Sequence, residues 1–351
     1  MRTEVLAIDP AEPDPAVLEH AAGIIRAGGL VAFPTETVYG LGANALDPVA
    51  VERIFVAKER ARDDPLIVHI ATREQLDSVA EAPPAVAMAL ANAFWPGPLT
   101  LVLDRRPAIP LMVTAGLGRV AVRVPSHPVA HGLLVASGVP IAAPSANRFM
   151  RASGTTAAHV LEDLDGRIDL VLDGGPAIAG VESTVVWCEG ARVRILRPGA
   201  ISREAITAVL ARSPLPVTLD HEAGPGPAAS PGMMAKHYAP AARVRLFESD
   251  DPRSLIVEEV VDALDAGHVV GLALASDAAE VVAEQVQLAG AERARRLAVE
   301  ALGSDAETVA ARLFAALRAL DAAGAEVIFV QEIADEGLGW AVNDRLRRAS
   351  S

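Results

Sequence analysis

Cationic side chains stand at the ends of several apolar segments, although the chain as a whole is acidic. Residues 58–70 read KERARDDPLIVHI, where Lys58 and Arg60 end a helical pattern and precede an apolar run. Arg123 lies inside VAVRVP, and Arg197 ends the run VRILR. Ammonium and guanidinium groups are the side chains that bind phosphate oxygens. These residues predict a site for a polyanion, although the Lys58–Arg60 segment alone is more typical of a solvated charge run.

Hydroxyl and amide groups accompany the cations at predicted strand ends. They comprise Thr35 and Thr37 in FPTETVYGLG, Ser145 and Asn147 in APSAN, Ser153 in ASGTT, and Ser183 and Thr184 in GVESTVV. Each stretch alone is a common loop sequence. Because ligands of open α/β sheets bind where strands pass into loops, the groups together indicate a triphosphate beside a small polar molecule. No side chain stands out as a covalent nucleophile, so we expect catalysis by positioning and charge stabilisation.

Arg123 should lie on a largely buried strand, because Val122 and Val124 flank it in an apolar alternation. A buried guanidinium needs an anionic partner. The sequence leaves two alternatives open: a structural Asp or Glu, or the anion of a ligand.

Composition narrows the class of protein. The 351 residues carry 31 Lys and Arg against 45 Asp and Glu, a net charge of -14, so general attraction to nucleic acid or anionic membranes is not expected. With Cys188 as its single cysteine, the chain is expected to be a reduced, cytoplasmic protein. We expect no leader peptide and no membrane span.

Several familiar motifs are missing. There is no GxxxxGK[ST] phosphate loop and no GxSxG nucleophile turn. The run GPGPAA (224–229) contains interleaved prolines and is interpreted as a spacer. His127 and His131 could share a helix face as zinc ligands, but without an HExxH glutamate a capping or surface role is favoured.

The pattern predicts an α/β protein with a large N-terminal domain (1–205), a Pro/Gly-rich linker (206–241) and a smaller C-terminal domain (242–351). In the first domain we predict a helix over 16–27 ending at a Gly-Gly pair, a strand over 30–35, a glycine-bearing turn over 36–44 and a helix capped by Asp47. In the C-terminal domain we predict strands at 243–249, 268–276 and 326–333, and helices at 291–302, 306–324 and 340–350.

The motifs, in order, resemble the YrdC-like family of threonylcarbamoyl-AMP synthases. They are PTETVYGLG, KxR followed by PLIVHI, FWPGPLTLVL, VAVRVPSHP, PSAN, ESTVV and LRPG, and they cover residues 16–205 densely. SPGMMAKHYAP (230–240) resembles a segment of the longer form of this family, which carries a Rossmann-like C-terminal domain. The resemblance implies a twisted open-sheet catalytic domain that makes threonylcarbamoyl-AMP from L-threonine, bicarbonate and ATP. A transferase complex would then receive the adenylate for modification of tRNAs that read ANN codons, and tRNA itself would meet this chain indirectly or weakly.

The resemblance also implies roles for individual residues. Lys58 and Arg60 would be catalytic. The ATP contacts would be Lys58, Arg60, Asp64, Arg119, Ser145, Asn147, Ser153, Arg197 and Tyr238. The threonine contacts would be Thr35, Thr37, His69, Arg123, Ala143 through its backbone, and Ser183. Mg2+ would be held mainly by ATP phosphates, with Ser145 and Asn147 as candidate ligands, and His237 with Tyr238 would close over the nucleotide.

Two positions depart from the family pattern, since Asp64 replaces an asparagine and Arg119 replaces a small hydroxylic residue. Two rival functions also remain open. One is a carbamoyltransferase of another kind on the same scaffold, and the other is a non-catalytic RNA-binding module.

Overall fold

The computed structural model describes residues 2–212, 218–220 and 238–351. The chain divides into two compact units. The first consists of Met1–Phe149 with Ser153–Met233, and the second of Met150–Ala152 with Met234–Ser351. Most of the predicted linker lies outside the described residues.

The first unit is built on one large twisted sheet. Its described strands are β1 (Glu4–Ala7), β2 (Val31–Phe33), β3 (Gly40–Asn44), β4 (Ile67–His69), β5 (Leu99–Asp104), β6 (Arg119–Arg123), β7 (Ile141–Ala142), β8 (Leu170–Asp173), β9 (Thr184–Glu189), β10 (Arg192–Arg197) and β11 (Thr218–Asp220). They are ordered β1-β8-β2-β3-β7-β4-β6-β5-β9-β10-β11, with parallel and antiparallel pairs. Many of the predicted site residues lie at or directly beside the ends of strands β2, β4, β6, β7, β9 and β10.

The helices of the first unit are short. They are α1 (Pro15–Arg26), α2 (Pro48–Lys58), α3 (Leu76–Val79), α4 (Ala85–Phe94), α5 (Pro128–Ser137), α6 (Ala157–Leu164) and α7 (Arg203–Leu210), with a 3-10 turn at Arg73–Gln75. Buried side chains of α1 and α5, such as Ile25 and Leu133, form one apolar cluster with Val31 and Phe33 of β2. This cluster fixes the strand from which the PTET turn leaves.

Sequence signals for helix ends are confirmed where local chemistry decides them. Asp47 caps α2 by accepting a hydrogen bond from the Val49 N–H, and Pro48 follows at the first helical position. Gly28, at φ 82°, lies just beyond α1 in the left-handed conformation that favours glycine. His127 accepts a hydrogen bond from the Val129 N–H at the start of α5, so of the capping and surface roles that the sequence favoured, the structure shows the cap.

The prediction of a turn over 36–44 is wrong for its second half, where residues 40–44 form β3. The glycines suggested a turn, but a Cβ on Gly42 would lie 2.8 Å from Ile141 and 2.8 Å from Phe33. Glycine is present because neighbouring side chains pack directly on this strand.

The second unit is a smaller α/β layer with an all-parallel sheet. Its strands β12 (Arg243–Phe247), β13 (Val270–Leu274), β14 (Leu297–Ala301) and β15 (Val327–Gln331) are ordered β12-β15-β13-β14. Its helices are α8 (Arg253–Asp265), α9 (Ser276–Leu288), α10 (Ala291–Ala294), α11 (Ala306–Ala322) and α12 (Gly339–Ala349). The large sheet and the smaller parallel sheet confirm the expected fold class.

The helix predicted over 291–302 is wrong beyond residue 294. Residues 297–301 form β14, which pairs in parallel with β13. This pairing is a long-range interaction that a local pattern does not contain. The predictions also missed α6, α8 and α9. Across the described residues, no helix is both long and apolar enough to cross a bilayer.

Candidate active site

The PTET turn between β2 and β3 holds a directed chain of hydrogen bonds that begins at Arg123. The Arg123 Nη1 donates to Thr37 Oγ1 at 2.9 Å, and the two threonine hydroxyl oxygens are 2.7 Å apart. Because Thr35 donates its own proton to the Val38 carbonyl at 2.6 Å, Thr37 must donate to Thr35. The side chain of Arg123, at the end of β6, therefore orders the PTET turn.

Arg123 has a structural carboxylate partner, which was one of the two alternatives that the sequence left open. Its Nη2 lies 2.7 Å from Glu36 Oε1, and its Nε donates to the Gly97 carbonyl at 3.3 Å. Both side chains are largely withdrawn from solvent. Burial alone would raise the pKa of Glu36, but Arg123 outweighs it and holds that pKa below its usual value. The pair is thus ionised at neutral pH.

His69 lies beside this pair as a neutral imidazole. It ends β4 and is in register with Arg123 on β6. Its ring packs edge-on against Phe33 with centroids 6.4 Å apart, and its Nδ1 is buried without a hydrogen-bond partner among the described residues. Burial, reinforced by the positive charge of Arg123, lowers the pKa of His69 to about 3. His69 can therefore offer neutral hydrogen-bonding groups, but it is not a proton carrier near pH 7.

The lowered pKa of His69 predicts a pH-dependent contribution to stability. Between about pH 6.5 and pH 3 the unfolded chain binds a proton at this residue and the folded chain does not, so the contribution falls as the pH falls. The advantage of the wild type over His69→Gln in free energy of unfolding should shrink by about 1.4 kcal/mol per pH unit in this window. Urea unfolding of both proteins at pH 5 and pH 7 measures this. A difference in free energy of unfolding between the two proteins that is the same at pH 5 and pH 7 would contradict this prediction.

Lys58 anchors the PSAN loop. It ends α2, is 1% exposed, and its Nζ donates to the carbonyl oxygens of Ser145, at 2.6 Å, and Asn147. The loop also bonds to the start of β3, because the Ala146 N–H donates to the Tyr39 carbonyl. The structure therefore brings together the predicted nucleotide residues Lys58, Ser145 and Asn147.

Arg60 and Asp64 form a second buried ion pair. Arg60 Nη2 lies 2.7 Å from Asp64 Oδ2, and the guanidinium also donates to the carbonyl oxygens of Asp64 and Pro65. The ring of Phe149 lies under the guanidinium carbon at 5.7 Å. The acid that replaces the family's asparagine is thus the direct partner of Arg60.

Arg197 joins the predicted nucleotide set to the predicted threonine set. Its Nη2 donates to the Ser183 carbonyl at 2.9 Å and to the Ser183 hydroxyl at 3.2 Å. The residue before Ser183, Glu182, accepts a hydrogen bond from Ser153 Oγ at 2.5 Å. A Cβ on Gly199 would lie 2.4 Å from backbone atoms of residues 182–184, so only glycine lets the RPG turn approach this closely.

Backbone contacts connect these groups into one cluster. The N–H groups of Ala179 and Gly180 donate to the carbonyl oxygens of Glu36 and Thr37. Gly40 forms an isolated antiparallel β-bridge with Ser145, and the Ala143 N–H donates to the Ile67 carbonyl on β4. The loops that carry the two residue sets are therefore held together by main-chain hydrogen bonds within the first unit.

Arg119 lies apart from this cluster within the first unit, and Tyr238 belongs to the second unit. Arg119 starts β6, at the opposite end from Arg123, and its guanidinium stacks 4.5 Å from the Trp187 ring, with Glu189 Oε1 3.3 Å away. Tyr238 belongs to the second unit, where its ring stacks on Phe314 with centroids 5.4 Å apart and lies under Arg345. His237, which was expected to act with Tyr238, is outside the described residues.

Sequence reasoning missed the carboxylates that lie among the cations. Glu36 and Glu182 are both buried or nearly so, and both lie inside motifs that were noted only for their hydroxyl groups. Thr100 was also missed, and its hydroxyl lies 2.8 Å from Ser183 Oγ. An acid directly before a predicted site hydroxyl, as Glu36 before Thr37 and Glu182 before Ser183, is the signal that could have found the carboxylates.

The paired buried cations, the hydroxyl-lined turn and the large twisted sheet define an α/β enzyme of the YrdC-like class. A family model described as "Telomere recombination" (Sua5/YciO/YrdC) matches residues 23–199, and one described as "Threonylcarbamoyl-AMP synthase, C-terminal domain" matches residues 201–351. The chain belongs to the threonylcarbamoyl-AMP synthase family, whose members are nucleotidyltransferase-type enzymes that make L-threonylcarbamoyladenylate.

Individual relatives match over nearly the whole chain. The threonylcarbamoyl-AMP synthase of Pyrococcus abyssi is 45% identical, with 94% of this chain and 93% of the relative covered. That of Bacillus subtilis is 42% identical, with 96% and 93% covered. The crystal structure of P. abyssi Sua5 complexed with L-threonine has a TM-score of 0.86 at 40% identity and covers 99% of this chain and 98% of that chain.

Proposed function

We propose that this chain makes L-threonylcarbamoyl-AMP from L-threonine, bicarbonate and ATP, with release of pyrophosphate. The observation that carries the proposal is Ser183, which contacts Arg197 of the expected nucleotide set and belongs to the expected threonine set. A nucleotide held at Arg197 would then lie beside an amino acid held at Ser183, as a reaction between the two requires. The structure of P. abyssi Sua5 in complex with L-threonine supports the part of the proposal that takes L-threonine as a substrate.

The proposed reaction has two bond-forming steps. The amine of threonine and bicarbonate combine into an N-carboxylate with loss of water. An oxygen of that carbamate attacks the α-phosphorus of ATP, the bond from the α-phosphorus to the bridging oxygen breaks, and pyrophosphate leaves with the bond's electron pair. Lys58, Arg60 and Arg197 would offset the charge that grows on the phosphate oxygens.

Mg2+ belongs to the proposal as a partner of the ATP phosphates. Ser145 and Asn147 supply hydroxyl and amide oxygens, and hard oxygen donors of this kind fit a cation that keeps phosphates and waters as its other ligands. When bound, the metal would neutralise phosphate charge. Within the described part of the chain, no group of three His, Cys, Asp or Glu side chains forms a metal site, so an all-protein metal cage is not part of the proposal.

The proposal includes the wider setting that the family resemblance implies. The adenylate would pass to a separate transferase complex that modifies tRNAs reading ANN codons, in the cytoplasm. We likewise propose that the chain comprises a catalytic domain (1–205), a linker (206–241) and a C-terminal domain (242–351).

The test is the substrate dependence of pyrophosphate release. With ATP present, we expect release only when L-threonine and bicarbonate are both added, together with an adduct of the mass of threonylcarbamoyl-AMP. Omission of either substrate should reduce the rate to background. Release that does not depend on threonine would contradict the proposal and favour a different carbamoyltransferase. Salt-dependent RNA binding without any turnover would favour the binding module.

A further inference from the structure

Glu36 is a rigidly held carboxylate in the middle of the PTET turn. Its Oε1 lies 2.7 Å from Arg123 Nη2 and accepts a hydrogen bond from the Ser126 N–H at 3.1 Å. Its own backbone carbonyl accepts from the Ala179 N–H at 2.9 Å. These contacts hold one carboxylate oxygen and the backbone in place and do not involve the second oxygen, Oε2.

The second oxygen of Glu36 is buried and has no hydrogen-bond partner among the described residues. Leaving an acceptor of this kind without a donor costs about 1–3 kcal/mol. The carboxylate stays ionised beside Arg123, since the guanidinium holds its pKa low despite burial. A buried, negatively charged oxygen without a donor is an unused acceptor, which the N–H or ammonium group of a ligand would satisfy.

The charges of the pair also restrict the ligand. Arg123 and Glu36 together are neutral, so a simple carboxylate that bound to Arg123 would place a second anion beside Glu36. A zwitterionic α-amino acid avoids this, because its carboxylate faces the guanidinium while its ammonium faces the carboxylate. Removing charges from water is favourable only when each one finds such a partner.

We propose that Glu36 is a specificity-determining residue that accepts a hydrogen bond from the α-ammonium of the substrate while Arg123 binds the α-carboxylate. This inference rests on the proposed function, because it takes threonine as the amino acid. It assigns Glu36 a role in selecting amino acids over hydroxy acids of the same shape. Glu36 acts through its negative charge, and its lowered pKa makes the carboxylate a weak base.

The test compares L-threonine with 2,3-dihydroxybutanoate of matched configuration, in which a hydroxyl replaces the α-ammonium. Calorimetric titration of the full-length wild type should show threonine binding at least about 10-fold tighter than the hydroxy acid, since the ammonium contact is charge-assisted. In Glu36→Gln, the affinity for threonine should fall by about 10-fold or more. The affinity for the hydroxy acid should not fall, because the carboxylate that repels it is gone. The ratio of the two affinities should therefore approach one.

The control is Glu189→Gln, which removes a carboxylate beside Arg119 and should leave the wild-type ratio unchanged. Glu36→Asp keeps the charge and should keep threonine preferred. A Glu36→Gln protein that retains the wild-type ratio would overturn the proposal and leave Glu36 as a counter-ion of Arg123 only. If Glu36→Gln does not fold, the wild-type ratio and Glu36→Asp decide, and a wild-type ratio near one overturns the proposal. Failure of the wild type to bind threonine at all would instead overturn the proposed function.

Discussion

Replacing Lys58 with methionine is expected to lower threonine-dependent pyrophosphate release by about 100-fold or more. The substitution keeps the volume of the buried stem and removes the ammonium, and loss of one preorganised charged donor typically has an effect of this size. Lys58 also holds the carbonyl oxygens of Ser145 and Asn147. Because these two carbonyl oxygens lose their charged donor, the substitution should lower the free energy of unfolding by about 2–3 kcal/mol.

The rate and the stability of Lys58→Met must be measured separately. Steady-state pyrophosphate release should be assayed well below the melting temperature of the variant, and urea unfolding should be followed on the same preparation. Lys58→Arg retains the charge but not the compact ammonium, so it should recover part of the stability and little of the activity. Turnover of Lys58→Met at the wild-type rate would reject the catalytic assignment.

Replacing Arg123 with methionine is expected to give the largest loss of stability in the site. The change leaves Glu36 buried and without its counter-ion, and breaking one partner of a buried pair typically costs about 3–5 kcal/mol. The hydrogen bond from Arg123 to Thr37 is lost as well, which releases the PTET turn. Threonine binding should fall below detection, because the proposed carboxylate partner is gone.

A double variant separates these two effects. Arg123→Met combined with Glu36→Gln removes both charges, so its stability should exceed that of Arg123→Met alone although it carries one substitution more. Threonine binding should stay absent in both. Urea unfolding and calorimetric titration of the wild type, both single variants and the double variant measure the coupling. Additive losses of stability would show that the pair contributes little.

Local chemistry made part of this fold and site predictable. The Asp47 cap, the glycine after α1 and the His127 cap are decided within a few residues, and the sequence predicted all three. The burial of Arg123 followed from its apolar neighbours, and the residue is 3% exposed. The order of the motifs predicted the fold class, because several of them lie at the ends of strands.

Long-range packing made the rest unpredictable. The partner of Arg123 is Glu36, which lies in a distant part of the sequence and meets it only when β2 and β6 enter one sheet. The strand identity of residues 297–301 depends on pairing with β13, and that of residues 40–44 depends on close packing against Phe33. In each instance the deciding contact is absent from the local pattern.

The most direct test of the account is a structure of the chain with L-threonine and a non-hydrolysable ATP analogue bound together. The account predicts that the threonine carboxylate lies on Arg123, that its nitrogen lies near Glu36, and that the phosphates contact Lys58, Arg60 and Arg197. The nitrogen should then be close enough to the α-phosphorus for a single carbamate group to span the distance. A nucleotide whose phosphates lie away from these cations, or an amino acid that is bound elsewhere, would contradict it.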